Sequence, residues 1–137
     1  VGVSVAPQIP FITEDMEQVL IAARDAGATS AFYTVLRPPW ELNDIMREWL
    51  ELHYPDRAAR VLARVQDLHG VDEGQRQRGI SYDSNFISRM KGSGVWADML
   101  RQRFHKTCER LGLNRQRTAL DVSQYRASLS RGQGSLF

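Results

Sequence analysis

The sequence predicts an α/β fold: two parallel strands joined through a helix, then a mainly helical extension and an extended polar tail. Three observations carry this reading. A β-branched run opens the chain, a second β-rich run follows within about 36 residues, and a helical period lies between them, the pattern of a βαβ unit. From Pro38-Pro39 onward the apolar residues recur at helical rather than strand spacing, as far as Gly112. The divisions predicted are residues 1–39 for the βαβ unit, 40–113 for the helical extension and 114–137 for the tail.

Each element has its own signal. Val1-Gly2-Val3-Ser4-Val5-Ala6, ended by Pro7 and Pro10, reads as a buried strand. Such a strand needs neighbours on both edges, so an upstream part of the sheet is expected. Thr13 is the expected N-cap of the first helix, with Glu14, Asp15 and Glu17 in its first turn and Met16, Val19, Leu20 and Ala23 on one face. Gly27 ends it, and Thr29 to Leu36 forms the second strand. Leu42, Ile45, Met46, Trp49, Leu50 and His53 make one apolar stripe that stops at Pro55. Asp56 is then expected to cap a helix carrying Ala58, Val61, Leu62, Val65 and Leu68 up to Gly70. Val71 to Gly79 lacks periodicity and reads as a loop, and Ser84 caps a short helical segment through Met90. After the Gly92-Ser93-Gly94 break, a last helix from Val95 to Leu111 is predicted to turn Trp96, Met99, Leu100, Phe104, Cys108 and Leu111 inward. Gly112-Leu113 has the form of a Schellman ending.

Composition narrows the class. A chain of 137 residues with 42% apolar and 25% charged residues is that of an ordinary globular domain. No apolar run reaches the roughly 20 residues that cross a bilayer, and the first ten residues lack a signal peptide's features, so a cytoplasmic protein without a membrane partner is expected. One cysteine, Cys108, excludes an internal disulfide and cannot by itself hold zinc or an iron–sulfur cluster. Charge is uneven: residues 1–56 carry three arginines against nine acids, net −6, whereas residues 57–137 carry net +8. A basic half of this kind points to an anionic partner, with a solvated helical face as the plain alternative.

Three long stretches resemble a known family. VGVSVAPQIPFITED, GATSAFYTVLRPPWEL and, most closely, YDSNFISRMKGSGVWADMLRQRFHKTCERLGLNR are similar in order to the C-terminal portion of radical S-adenosylmethionine (SAM) proteins of the spore photoproduct lyase and DNA-repair-photolyase-like group. The resemblance implies the last strands of a partial (β/α)6 barrel followed by a helical extension. It also implies a [4Fe-4S] cluster on a CxxxCxxC motif, SAM on the unique iron, and hydrogen abstraction from a substrate by a 5′-deoxyadenosyl radical. CxxxCxxC is absent from this sequence. The expectation is therefore a fragment of a radical SAM enzyme acting in nucleic-acid repair or modification, inactive alone, with cluster and SAM belonging to the full-length parent. The alternative is a non-catalytic helical module that binds nucleic acid or protein.

Ends of parallel strands face the ligand in a barrel, which nominates Ser4, Pro7, Tyr33 and Arg37 as cofactor-binding residues. Arg37 follows an apolar strand directly, so its charge must reach an anion or an acid such as Glu41. Arg89, Lys91, Arg101, Arg103, Arg115 and Arg117 gather around the glycine break and the last helix, a candidate phosphate-binding surface for DNA. Gln133, Leu136 and Phe137, in the terminal QGSLF, resemble the short motif by which bacterial DNA-handling proteins bind the replicative sliding clamp. His53, His69 and His105 have no metal-ligand spacing, and Cys108 and the three tryptophans read as packing.

Overall fold

A computed structural model describes residues 1–38, 41–72, 74, 77–78, 90–116, 119 and 121–123. Val3 and Val5 alternate with Gly2, Ser4 and Ala6 along the first strand, β1 (Gly2–Gln8), so that one face is bulky and the other small. The first helix, α1 (Met16–Asp25), returns the chain to β2 (Ser30–Val35), which pairs parallel with β1 in the register Val3↔Ala31 and Val5↔Tyr33. The register shifts between Val5 and Gln8, across Pro7, which has no N–H to give to a ladder. Among the described residues three further helices of more than two turns follow: α2 (Leu42–His53), α3 (Ala58–Leu68) and α4 (Gly94–Leu111). The α/β class and the two parallel strands are those the sequence predicts.

Two cores form. Val5, Tyr33 and Val35 of the sheet pack with Met16 and Leu20 of α1, Leu68 of α3 and Phe104 and Cys108 of α4. A second cluster joins Leu50 of α2 to Ala58, Val61 and Val65 of α3, with Ile9, Phe11 and Leu36 against it. The first core lies on the Val5/Tyr33 face of the sheet, the face that carries the bulky apolar side chains of both strands.

Several local expectations need correction. Thr13 does not cap α1; its hydroxyl accepts the Ile9 N–H at 2.7 Å and ties off the turn after β1, leaving Asp15 at the N-cap. Asp56 is not the cap of α3 either. Arg57 holds that position without a side-chain cap, and the Tyr54 carbonyl accepts the N–H groups of Arg57 and Ala58 at 2.9 Å each. On α2 only Leu50 is buried and Met46 half-buried, while Leu42, Ile45 and Trp49 of the expected inward stripe are exposed. Met99 of α4 is likewise exposed, and Ala97 and Thr107 take inward places.

The glycine break and the end of α4 do what their residues suggest. Gly92, at φ 72°, approaches the end of α3 so closely that a Cβ there would lie 2.9 Å from the Leu68 carbonyl oxygen, which also accepts the Ser93 N–H at 2.8 Å. Gly112, at φ 73°, ends α4 in a Schellman motif: Leu113 N–H donates to Cys108 O at 2.9 Å and Gly112 N–H to Glu109 O at 3.2 Å.

Candidate functional site

The sheet has two unlike edges. On the far edge of β2, the Asn114 carboxamide imitates a neighbouring strand: Oδ1 accepts the Ala31 N–H and Nδ2 donates to the Ala31 carbonyl, both at 2.9 Å. Further along the same edge, Lys91 Nζ donates to the Tyr33 carbonyl and Val35 N–H donates to Met90 O at 3.0 Å. The other edge belongs to β1, which pairs with no strand besides β2 among the described residues. Val1 O accepts the Thr29 N–H at 3.0 Å, and alternation then turns the backbone groups of Gly2, Ser4 and Ala6 toward that free edge.

The faces differ as much. Gly2, Ser4 and Ala6 are exposed, and Phe32, the register partner of Ser4, is 55% exposed. Tyr33, one residue on, is 2% exposed against Phe104, with ring centroids 4.8 Å apart. Ser4 and Tyr33 therefore lie on opposite faces and cannot line one site. Pro7 is exposed at the end of β1, and Arg37 is half-buried beyond the end of β2. The face that carries Ser4 and Phe32, with small residues around them, is the exposed face of the sheet.

Tyr33 is occupied on its own side. Burial pushes its phenol above the ordinary value, and Arg101 approaches it, short of a well-formed hydrogen bond, offsetting part of that push. The Lys91 ammonium sits 3.7 Å from the Tyr33 ring centroid and 5.8 Å from that of Phe104, and burial holds its pKa below the ordinary lysine value.

Three of the four described members of the basic cluster are engaged within the chain. Lys91 serves the β2 edge. Arg101 pairs with Asp98 at 2.7 Å, and Arg103 holds both carboxylate oxygens of Glu17 at 2.8 and 2.7 Å and donates to the Glu14 carbonyl at 3.0 Å. Arg103 keeps the Glu17 carboxyl below its ordinary value. Arg115 is exposed and folds over the end of α4, 3.0 Å from where a Gly112 Cβ would stand. Arg89, Arg117, Gln133, Leu136 and Phe137 lie outside the described residues, as does Trp40.

Between the turn after β1, α3 and α4 lies a cleft of about 80 Å3, lined among others by Gln8, Phe11, Arg64, Trp96 and Arg103. Its aromatic faces are already taken: Arg60 stands 4.5 Å over the Phe11 ring, Arg64 4.0 Å over Trp96, and the two rings meet edge to face at 6.2 Å. Gln8 Nε2 donates to Val5 O at 3.1 Å, and Gln8 Oε1 is buried without a partner and out of solvent reach. A base or ring entering here would have to displace a guanidinium. The sequence reading missed Gln8 and the Arg64–Trp96 stack, since a lone glutamine after a proline and an arginine 32 positions from a tryptophan carry no pattern.

No group of three or more His, Cys, Asp or Glu residues able to hold a metal occurs among the described residues. Cys108 is buried, receives a weak hydrogen bond from Asn114 Nδ2 at 3.8 Å, and has its thiol pushed up by burial, the opposite of what a thiolate ligand needs. These residues do not fit an iron–sulfur cluster. His69 is also structural: buried at the end of α3, its Nε2–H donates to the Leu36 carbonyl at 2.8 Å. Among the described residues no helix is long and apolar enough to cross a membrane. No family model, no curated protein and no solved structure matches the chain.

Proposed function

We propose that this chain is the C-terminal portion of a radical SAM protein similar to the photolyase-like group, supplying the last βαβ unit of the barrel to a parent whose other segments hold the cluster. The observation that supports the reading is the sheet's asymmetry. A terminal barrel strand needs helices on one face, small side chains toward the lumen, one closed edge and one edge free for the preceding strand. Tyr33, the Gly2/Ser4/Ala6 face, Asn114 and β1 match those needs in turn. On this reading Ser4 and Phe32 face the lumen, whereas Tyr33 belongs to the outer layer that positions the strand.

SAM and the cluster, when bound in the parent, supply hydrogen abstraction; this chain's contribution is shape and exclusion of water. The test is a chain extended upstream through a CxxxCxxC segment of the same reading frame. After anaerobic reconstitution it is expected to take up about four iron atoms and cleave SAM, and the 137-residue chain to do neither. Stoichiometric iron uptake by the short chain, or an upstream region without CxxxCxxC, overturns the proposal.

A further inference from the structure

Helix α2 carries more apolar surface than the fold covers. Its inner side, Leu50 and Met46, packs into the second core, whereas Leu42 (49%), Ile45 (59%), Trp49 (38%) and Leu52 (76%) remain exposed. At about 100° per residue these four fall within one quadrant of the helix, spaced i, i+3, i+7 and i+10. A contiguous exposed stripe of large apolar side chains marks an interaction surface, unlike single exposed residues, which are ordinary. The same geometry puts Glu41 and Glu48 immediately beside Ile45 and Leu52, with Glu51 next along; all three are exposed. Asp44, which falls between Glu48 and Glu51 around the helix, is partly neutralised by Arg47 at 3.2 Å.

We propose that this outer face of α2 docks a basic amphipathic helix of a partner protein, whose apolar side covers Ile45, Trp49 and Leu52 and whose Lys or Arg residues meet Glu41, Glu48 and Glu51. Charge selects the occupant. A second copy of the chain presenting the same face would bring two acidic rims together, and nucleic acid or an anionic lipid surface meets the same repulsion. Stripe spacing selects a helix, since i, i+3 and i+7 anchors match a helix laid along α2 rather than an extended strand. The inference stands apart from the radical SAM reading, because it uses only α2.

The probes are two synthetic 18-residue helical peptides with the same leucine face, one flanked by lysines and one by glutamates, titrated into the full chain and followed by calorimetry. The lysine peptide is expected to bind at least tenfold more tightly than the glutamate peptide, with its affinity falling several-fold in high salt. Ile45→Asp with Leu52→Asp should weaken it at least tenfold while the thermal midpoint stays unchanged, because both side chains are exposed. Glu48→Lys with Glu51→Lys should reverse the preference between the peptides. Equal binding of the two peptides, or binding untouched by the double aspartate change, overturns the proposal. So does a dimer in light scattering that this change dissolves, since the occupant would then be a second copy.

Discussion

The two edges of the sheet solve the same problem in opposite ways. At β2 the outward backbone groups of Ala31, the Tyr33 carbonyl and the Val35 N–H are met by Asn114, Lys91 and Met90, all from beyond α3. At β1 the outward groups of Gly2, Ser4 and Ala6 meet no strand among the described residues. Faces repeat the contrast, with helices α1 and α4 over Tyr33 and, among the described residues, no helix packed over the exposed Phe32. The Asn114 carboxamide closes one edge as a strand would, whereas the other edge carries small residues and pairs with no strand but β2 among the described residues. The helical extension is thus fastened to one side of the strand pair and leaves the other side available.

Substitutions at adjacent residues put the face contrast under the greatest load. Tyr33→Ala removes a ring fully enclosed between the sheet and α4 and should cost about 3–5 kcal/mol. Phe32→Ala, on the bare face, should cost less than about 1 kcal/mol. Chemical denaturation of both variants reads the difference, and equal losses would mean that the Phe32 face is covered after all. The edge contrast comes next: Asn114→Ala strips both partners from Ala31 and should cost about 2 kcal/mol. Asn114→Asp should recover only part, because the carboxylate cannot donate to the Ala31 carbonyl.

A smaller effect tests how the extension grips α1. Arg103 holds the Glu17 carboxyl below its ordinary value, so the folded chain binds that proton less readily than the unfolded chain. The stabilisation is therefore complete above pH 4.5, the ordinary value, and is lost as the pH falls through the lower folded value. Both partners are about a third exposed, so the pair should contribute no more than about 1 kcal/mol. Glu17→Gln should flatten this part of the acid limb in pH-dependent melts. Smallest of all, Ser4→Lys on the open face should change stability by less than about 0.5 kcal/mol.

The βαβ unit was legible because its signals are local. Gly27, the paired prolines and β-branched runs punctuate the chain within a few residues of the elements they bound. The Schellman ending at Gly112-Leu113 was legible for the same reason. The Asn114 edge cap was not, since it acts on a residue 83 positions away and a lone asparagine after a helix reads as a turn. Thr13 satisfied the pattern of an N-cap, but its hydroxyl was drawn to the Ile9 N–H by the turn that β1 makes. Periodicity found the apolar stripe of α2 but not its division: spacing tells which residues share a face, whereas how much of that face is covered depends on the width of the layer beneath. Of the candidate site residues, chain position named Ser4 and Tyr33 together, and only the strand's two-residue period, applied across the register, separates them.

The contrast between the edges is measured most directly by residue-resolved hydrogen exchange on the intact chain. The amides of Ala31 and Val35, held by Asn114 and Met90, should be protected, while those of Ser4 and Ala6 exchange at close to the rate of an open chain. Protection of Ser4 and Ala6 equal to that of Ala31 and Val35 would show the β1 edge to be covered within the chain itself, and would contradict the account.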